Sequence, residues 1–237
     1  MRGLGWRSKL ILLAATATLA ACNGPTVAGN DVATKSISLP APRTDGTFPV
    51  ERALQQRRSV RTFGDEALTL EELGQLLWAA QGVSGVGGLR TAPSAGALYP
   101  LELTVIAGKV SGLPAGLYRY EPAGHRLAPL AAGDRRGEVA RAALAQSWMR
   151  TAPAMIAFGA VEARTTRKYG TRGVAYVRIE LGHAAQNVFL QAQALGLGAA
   201  VVGAFDDASL AAALQMSPDE TPLYLMPVGR EGTEARY

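Results

Sequence analysis

The chain of 237 residues contains one cysteine, Cys22, and two histidines, His125 and His183. A single thiol excludes a disulfide within the chain, and so few soft ligands leave no conventional zinc site, so no metal is expected. Aromatic residues make up 6% and charged residues 18%, with a net charge of +5. The arginines stand in small separate groups (Arg57, Arg58, Arg61; Arg135, Arg136; Arg164, Arg167, Arg172) and form no stripe interleaved with aromatics. This argues against a nucleic-acid partner and suits a small anion or a solvated surface. The apolar run at 10–19 is too short to span a bilayer comfortably. Internal repeats are lacking. The glycines of 82–88 match neither a phosphate loop nor a dinucleotide fingerprint, because no Lys-Ser/Thr follows and no strand precedes them. What is present is a 48% hydrophobic chain, enough for one sizeable core.

Residues 1–22 read as a targeting signal: a basic start (Arg2, Arg7, Lys9), an apolar stretch and a small-residue junction. Leu19-Ala20-Ala21-Cys22 resembles the bacterial lipoprotein signal, in which the cysteine is acylated and becomes the first mature residue. A general secretory signal with an unrelated cysteine is the alternative. Acylation at Cys22 would anchor a soluble domain to a membrane without spanning it. That resemblance implies the bacterial cell envelope, on the periplasmic side, and Asn23 after the cysteine favours the outer membrane. Residues 23–47, rich in Gly, Pro, Thr, Ser and Ala, read as a flexible tether. The folded domain is then 48–237.

Within it, 48–56 can form a helix with Val50, Ala53 and Leu54 as its inner face. Thr69 caps a second helix, with Glu72 completing a capping box and Leu73, Leu76, Leu77 and Ala80 inward. Residues 101–107 alternate as a strand. Residues 116–120 and 126–130 form a hairpin whose turn carries a solvated His125. A helix is expected at 134–147 with Val139, Ala142, Ala143 and Gln146 inward, and a buried strand at 152–160. The longest helix spans 173–196 on an apolar face of Val177, Leu181, Ala184, Ala185, Val188, Phe189 and Ala192. Glu180, His183 and Asn187 share another stripe, either a polar catalytic face or a hydrogen-bonded core or interface group. A short strand at 199–203, a helix at 207–214 capped near Asp206 and a strand at 223–228 complete an α+β sheet with helices packed around it.

Two stretches carry candidate chemistry. Arg57, Arg58, Ser59 and Arg61 can make several charge-assisted hydrogen bonds to a phosphate, or form a solvated basic turn. The loop at 93–102 (Pro93-Ser94-Ala95-Gly96-Ala97-Leu98-Tyr99-Pro100-Leu101-Glu102) is built of small residues between prolines and leaves backbone N–H groups uncovered. Such a loop admits a flat ligand, or is an ordinary connection.

Taken in order, the arginine cluster, this loop, the Gly196-to-Gly203 segment (Gly-Leu-Gly-Ala-Ala-Val-Val-Gly) and Pro227-Val228-Gly229-Arg230 resemble the nitroreductase-like flavoproteins. The loop's spelling, with Lys168-Tyr169-Gly170 and Glu180-Leu181-Gly182-His183-Ala184-Ala185-Gln186-Asn187, is similar to the branch of SagB and cyanobactin-type azoline dehydrogenases. The resemblance implies an FMN-binding α+β fold with a central mixed or antiparallel sheet, a homodimer, and flavin sites at the dimer interface. Arg57, Arg58, Ser59, Arg61 and Arg230 would hold the phosphate and ribityl end. Pro93, Ser94, Ala95 and Gly96 would line the isoalloxazine ring, with Leu98 of a second subunit over it. Val202 and Gly203 match the position whose backbone N–H faces flavin N5. Lys168 and Tyr169 match a pair implicated in proton removal, in which a desolvated lysine beside a phenol acts as base; a solvated basic loop is the alternative. The implied function is an FMN-dependent oxidoreductase at the envelope, transferring hydride to or from a small molecule by a ping-pong route. NAD(P)H is one candidate reductant; substrate dehydrogenation with oxygen or a quinone as acceptor is the other route. A non-catalytic flavin-binding or scaffold lipoprotein is the contrasting reading.

Overall fold

The computed structural model describes residues 35–233; the signal, Cys22, the first part of the expected tether and the last four residues lie outside them. The elements in order are β1 (Ile37–Ser38), α1 (Val50–Gln56), β2 (Leu68–Thr69), α2 (Leu70–Gln81), β3 (Leu101–Ala107), β4 (Val110–Ser111), β5 (Gly116–Glu121), β6 (Arg126–Ala132), α3 (Arg136–Ala142), β7 (Ala154–Ala160), α4 (Ala163–Tyr169), α5 (Arg172–Ala194), β8 (Gly198–Ala199), α6 (Asp207–Ala213) and β9 (Thr221–Gly229). Seven strands make one sheet in the order β1-β6-β5-β3-β7-β9-β8, and β2 pairs with β4 apart from it. Every pairing within the large sheet is antiparallel, which resolves the expectation of a mixed or antiparallel sheet.

Strand periodicity explains the two-sided core. In β7, Ala154, Ile156, Phe158 and Ala160 join the cluster under α2 and α5, whereas Met155 and Ala157 join the cluster under α3 and α6. A strand covered on both faces needs apolar residues at every position, and all seven of β7 are buried. Helix α2 starts where expected. Thr69 Oγ1 accepts from the Glu72 N–H at 3.1 Å and Glu72 Oε2 accepts from the Thr69 N–H at 2.9 Å, a reciprocal cap that satisfies two otherwise orphaned donors. Its Leu73, Leu76, Leu77 and Ala80 are fully buried against the 23-residue α5. All seven residues expected on the apolar face of α5 are buried as well.

Several expectations need correction. Residues 35–47 are not free tether: Ile37 and Ser38 pair with Leu127 and Arg126 of β6, and Leu39 joins the core. In α1 only Ala53 is buried, while Val50 and Leu54 are 55% and 57% exposed; this short helix rests mainly on α5 and turns one column of residues inward. The helix expected over 134–147 ends at Ala142, because Leu144 and Ala145 adopt left-handed φ values of 54° and 57°, which break the helical path. Gln146 is half-buried, its amide donating to the Ala143 carbonyl. His125 is not solvated: its Nδ1 lies 2.9 Å from the Tyr120 hydroxyl, and burial pulls the imidazole below the usual histidine range, against the pull of the Pro40 backbone. The strand expected over 199–203 is the two-residue β8 followed by a bridge of Val202 to Leu225.

Candidate functional site

Backbone register assembles the arginine-rich end. Ser59 bridges Ala199 in parallel, with the Val60 N–H donating to the Ala199 carbonyl at 2.9 Å. Gly198 pairs with Gly229. The segment of Arg57, Arg58, Ser59 and Arg61, strand β8 and Arg230 are therefore neighbours, although they come from three distant parts of the sequence. Gly198 is required here, because a Cβ at this position would fall 2.6 Å from the Val60 side chain. Arg57 lies over the Phe189 ring at 5.1 Å. Arg58 donates to the Gln55 and Arg57 carbonyls, and Arg58, Ser59 and Arg61 are exposed. Arg230 is engaged: its Nε donates to Glu66 Oε2 at 2.9 Å and its Nη2 to Glu72 Oε1 at 2.6 Å. These carboxylates hold the guanidinium above its ordinary value, Glu72 foremost. Glu72 thus caps α2 with one oxygen and holds Arg230 with the other.

The loop at 93–102 is wound tightly. Gly96, Ala97 and Tyr99 take left-handed φ values of 64°, 53° and 46°. Only glycine adopts such angles freely, so the surrounding contacts must impose them. Ser94 Oγ accepts from the Tyr99 N–H at 2.9 Å, and the Ser94 carbonyl accepts from the Ala97 N–H at 3.0 Å. The Tyr99 hydroxyl accepts from the Arg90 N–H at 3.2 Å, while the Arg90 guanidinium stacks on the Tyr99 ring at 4.4 Å. Pro93 and Gly96 are exposed; Ser94, Ala95 and Leu98 are half-buried. The role expected of Leu98 requires a second subunit.

Lys168 and Tyr169 meet this loop. They lie in the last turn of α4, a helix where a basic loop was the alternative. A Cβ on Gly96 would stand 2.7 Å from the Tyr169 hydroxyl and 3.1 Å from Lys168 Nζ. Helix α4 is pinned to the loop by Arg164, which pairs with Glu102 at 2.5 Å and donates to the Tyr99 carbonyl at 3.0 Å. Lys168 Nζ sits 5.4 Å from the centre of the Tyr169 ring, which packs edge-on against Tyr176. The lysine is exposed, so this chain alone does not provide the desolvation expected of a base.

Two expectations are revised at the level of single groups. Val202 cannot offer its N–H to a ligand, because it donates to the Leu225 carbonyl at 2.8 Å as part of the sheet. Gly203, exposed at the end of that segment, is the member of the pair left to face one. The stripe of Glu180, His183 and Asn187 is split: His183 is exposed, and Asn187 donates to the Ala79 and Thr91 carbonyls. Glu180 is 2% exposed. Burial pushes its carboxyl up to about 7, while Ser94, Arg90 and Gln81 favour ionisation. Gln81 Nε2 and Glu180 Oε1 both lack a well-formed hydrogen bond.

Sequence reasoning raised Glu180 only as part of a stripe with two readings, and left Arg164, Glu66 and Glu72 out of the site. Glu180 had a signal: with Val177, Leu181 and Ala184 it falls on the i, i+3, i+4, i+7 spacing of a buried face. The pairing of Arg164 with Glu102, and of Arg230 with Glu66 and Glu72, depends on contacts 62 to 164 residues apart in sequence, beyond any local pattern.

The sequence profile of the nitroreductase family matches residues 54–230. An inferred nitroreductase of Methanocaldococcus jannaschii is 46% identical over 182 residues, covering 77% of this chain and 91% of that protein. Among solved structures, an inferred nitroreductase of Ralstonia eutropha JMP134 is 32% identical with a TM-score of 0.72, covering 84% of this chain and 90% of that one. The NADPH:FMN oxidoreductase of Vibrio harveyi, solved in complex with NAD+, shares the fold at 18% identity and a TM-score of 0.57, covering 79% of this chain and 72% of that one.

Proposed function

The chain belongs to the nitroreductase family, and from that premise we propose that it is an FMN-dependent oxidoreductase acting on a small molecule by ping-pong hydride transfer. One observation carries the reading: the register of Ser59 on Ala199 and of Gly198 on Gly229 gathers Arg57, Arg58, Arg61 and Arg230 at one end of the sheet. The residues fit the cofactor. Arg61 and Arg58 are exposed cations suited to a phosphate, Gly96 keeps its place on the loop clear of a side chain, and Gly203 offers a backbone N–H. FMN, when bound, accepts hydride from one substrate and passes it to another.

The chain's own residues bind and orient. The arginines neutralise the phosphate, with Arg230 exchanging Glu66 and Glu72 for it. Pro93, Ser94, Ala95 and Gly96 form the wall against the ring, and the Gly203 N–H stabilises electron density arriving at the far side. A homodimer completes the site by adding Leu98 of the second subunit. The SagB and azoline-dehydrogenase branch is the closer assignment, supported by the spelling of the loop and by the contact of Lys168 and Tyr169 with Gly96. In that role Lys168 takes up a proton once the second subunit and substrate shield it from water. Acylated Cys22 places the enzyme at the cell envelope. NAD(P)H serves as reductant where it is accessible; a quinone or oxygen acceptor suits an exported enzyme.

The absorption spectrum of the purified chain, with extraction of its cofactor, tests this. A yellow protein releasing FMN is expected, and anaerobic bleaching by NADH or NADPH identifies the donor. A colourless protein that FMN does not stabilise overturns the assignment. Cys22→Ser followed by membrane fractionation tests the anchor, and unchanged membrane association counts against acylation.

A further inference from the structure

Tyr99 is not among the residues expected to meet FMN, yet its polar groups and its ring are all engaged. Its N–H donates to Ser94 Oγ at 2.9 Å, which closes a ring of chain around Ala95, Gly96, Ala97 and Leu98. Its carbonyl accepts from Arg164 Nη1 of α4 at 3.0 Å. Its hydroxyl accepts from the Arg90 N–H at 3.2 Å, and the Arg90 guanidinium lies over its ring at 4.4 Å. Both arginines are fixed from behind. Arg90 Nη1 donates to Oε1 of the fully buried Gln81 at 2.8 Å. Thr91, the next residue, donates its N–H to the Gly82 carbonyl and its hydroxyl to the Trp78 carbonyl. Arg164 pairs with Glu102 at 2.5 Å, and Glu162 at the start of α4 pairs with Arg178 of α5 at 2.8 Å.

The backbone of Tyr99 shows what these contacts accomplish. Its φ of 46° is left-handed, a conformation that glycine adopts freely and a bulky residue resists. Pro100 adds to the cost, because a proline pushes the residue before it toward extended backbone. A glycine would occupy this position without strain, so the tyrosine is accounted for by what its side chain holds.

We propose that Tyr99 is a positioning residue of the site: it locks the wall at 93–98 in shape before a ligand arrives and, through Arg164, joins that wall to the helix carrying Lys168 and Tyr169. The proposal rests on the reading given above, that this wall borders a flavin ring. Arg164 and Lys168 are four residues apart and share one face of α4. That face meets the loop at two points, the Tyr99 carbonyl and Gly96. A helix of seven residues is too short to hold itself in place, so the position of Lys168 depends on the clamp at Tyr99 and Glu102. Without Tyr99 the wall and the helix separate, and the ligand has to assemble the site as it binds.

FMN binding to the full chain, followed by quenching of flavin fluorescence, tests this in wild type, Tyr99→Phe and Tyr99→Gly. Tyr99→Phe loses only the hydroxyl bond, and a Kd about threefold weaker is expected. Tyr99→Gly relieves the backbone but releases the loop, and its Kd should rise about tenfold or more. Association kinetics separate positioning from a purely structural role. A preformed wall gives an observed rate linear in FMN concentration, whereas in Tyr99→Gly a closing step after encounter should make the rate level off. An unchanged Kd in both variants, or a rate that stays linear in Tyr99→Gly, overturns the proposal. Hydrogen exchange of FMN-free protein supplies a second readout. Amides of 94–99 should exchange about threefold faster or more in Tyr99→Phe than in wild type, and equal exchange overturns the lock. Arg164→Gln should speed exchange in the same loop with Tyr99 intact; an unaltered loop overturns the link to α4. If wild type binds no FMN, the flavin reading fails, and hydrogen exchange still decides whether Tyr99 holds the loop.

Discussion

Arg119 of β5 grips Glu220 through two parallel hydrogen bonds, of 2.9 and 2.7 Å, across the width of strands β3 and β7. The Glu220 side chain is 2% exposed, and it fits only because residue 159 is glycine: a Cβ there would fall 2.2 Å from Glu220 Oε1. The β7–β9 register shifts at the same place, between Phe158 and Gly159. Arg119 also approaches Glu102 at 3.7 Å, which in turn pairs with Arg164. The grip therefore extends toward the loop and α4. Removing one partner of a buried pair strands the other charge. Glu220→Ala should destabilise the fold by about 3 kcal/mol, and Gly159→Ala should be comparably damaging through overpacking; denaturant midpoints read both.

Gly96→Ala is predicted to be harmful for two reasons at one atom. The backbone is left-handed, at φ 64°, and the added methyl would meet the Tyr169 hydroxyl and Lys168 Nζ. The backbone term alone costs about 1 kcal/mol. A modest loss of thermal stability is expected together with a much larger loss of FMN affinity, because the loop must pull away from α4. Fluorescence titration of FMN compared with the melting curve separates the two.

Arg230 and Glu72 should have opposite effects on FMN binding. Arg230→Ala removes a phosphate partner and is expected to weaken binding by tenfold or more, equivalent to about 1.4 kcal/mol. Glu72→Gln retains a capping side chain and releases the guanidinium from its strongest competitor, so binding should tighten. Thr69→Ala serves as a control: it should lose about 1 kcal/mol of stability with FMN affinity unchanged.

Lys168→Ala should abolish turnover while leaving flavin bound, since its contact with the site is at Gly96 and not among the arginines. A variant that turns over normally would remove Lys168 from the mechanism; one that sheds flavin would make it a binding residue. Flavin content and steady-state rate on the same preparation tell these apart.

Stability should fall as pH rises through the range in which Glu180 loses its proton. Its folded value of about 7 lies above the ordinary 4.5, so between these limits the folded chain holds more protons than the unfolded one. Relative to Glu180→Gln, wild type should lose up to about 1.4 kcal/mol for each pH unit in that window. The difference between the two proteins should be independent of pH below about 4.5 and again above about 7. Urea denaturation of both proteins at several pH values measures it.

What the sequence made legible follows from how local each signal is. The cap at Thr69, the α5 face and strand β3 are written in consecutive residues or in one helical period, and they stand where the patterns put them. Strand β1 was missed because two residues have no periodicity to read, and the turn-forming composition around them looked like tether. Helix α3 was drawn too long because nothing in the composition of Leu144 and Ala145 announces their left-handed backbone. In the site, the arginines and the small-residue loop could be named because each is a compact cluster. The commitment of the Val202 N–H to Leu225 and the burial of Glu180 exist only after the sheet and α5 have folded against each other.

The described sheet ends in a two-residue strand on either side, β1 at one rim and β8 at the other. Each covers only a corner of the long strand beside it: β1 pairs with Arg126 and Leu127 of the seven-residue β6, and β8 with Val228 and Gly229 of the nine-residue β9. Among the described residues the outer backbone of 128–132 therefore has no strand beside it, and a bare edge of that length is a template for a further extended segment. The helical surface offers a different kind of contact, with Val50 and Leu54 of α1 and Ile179 of α5 more than half exposed.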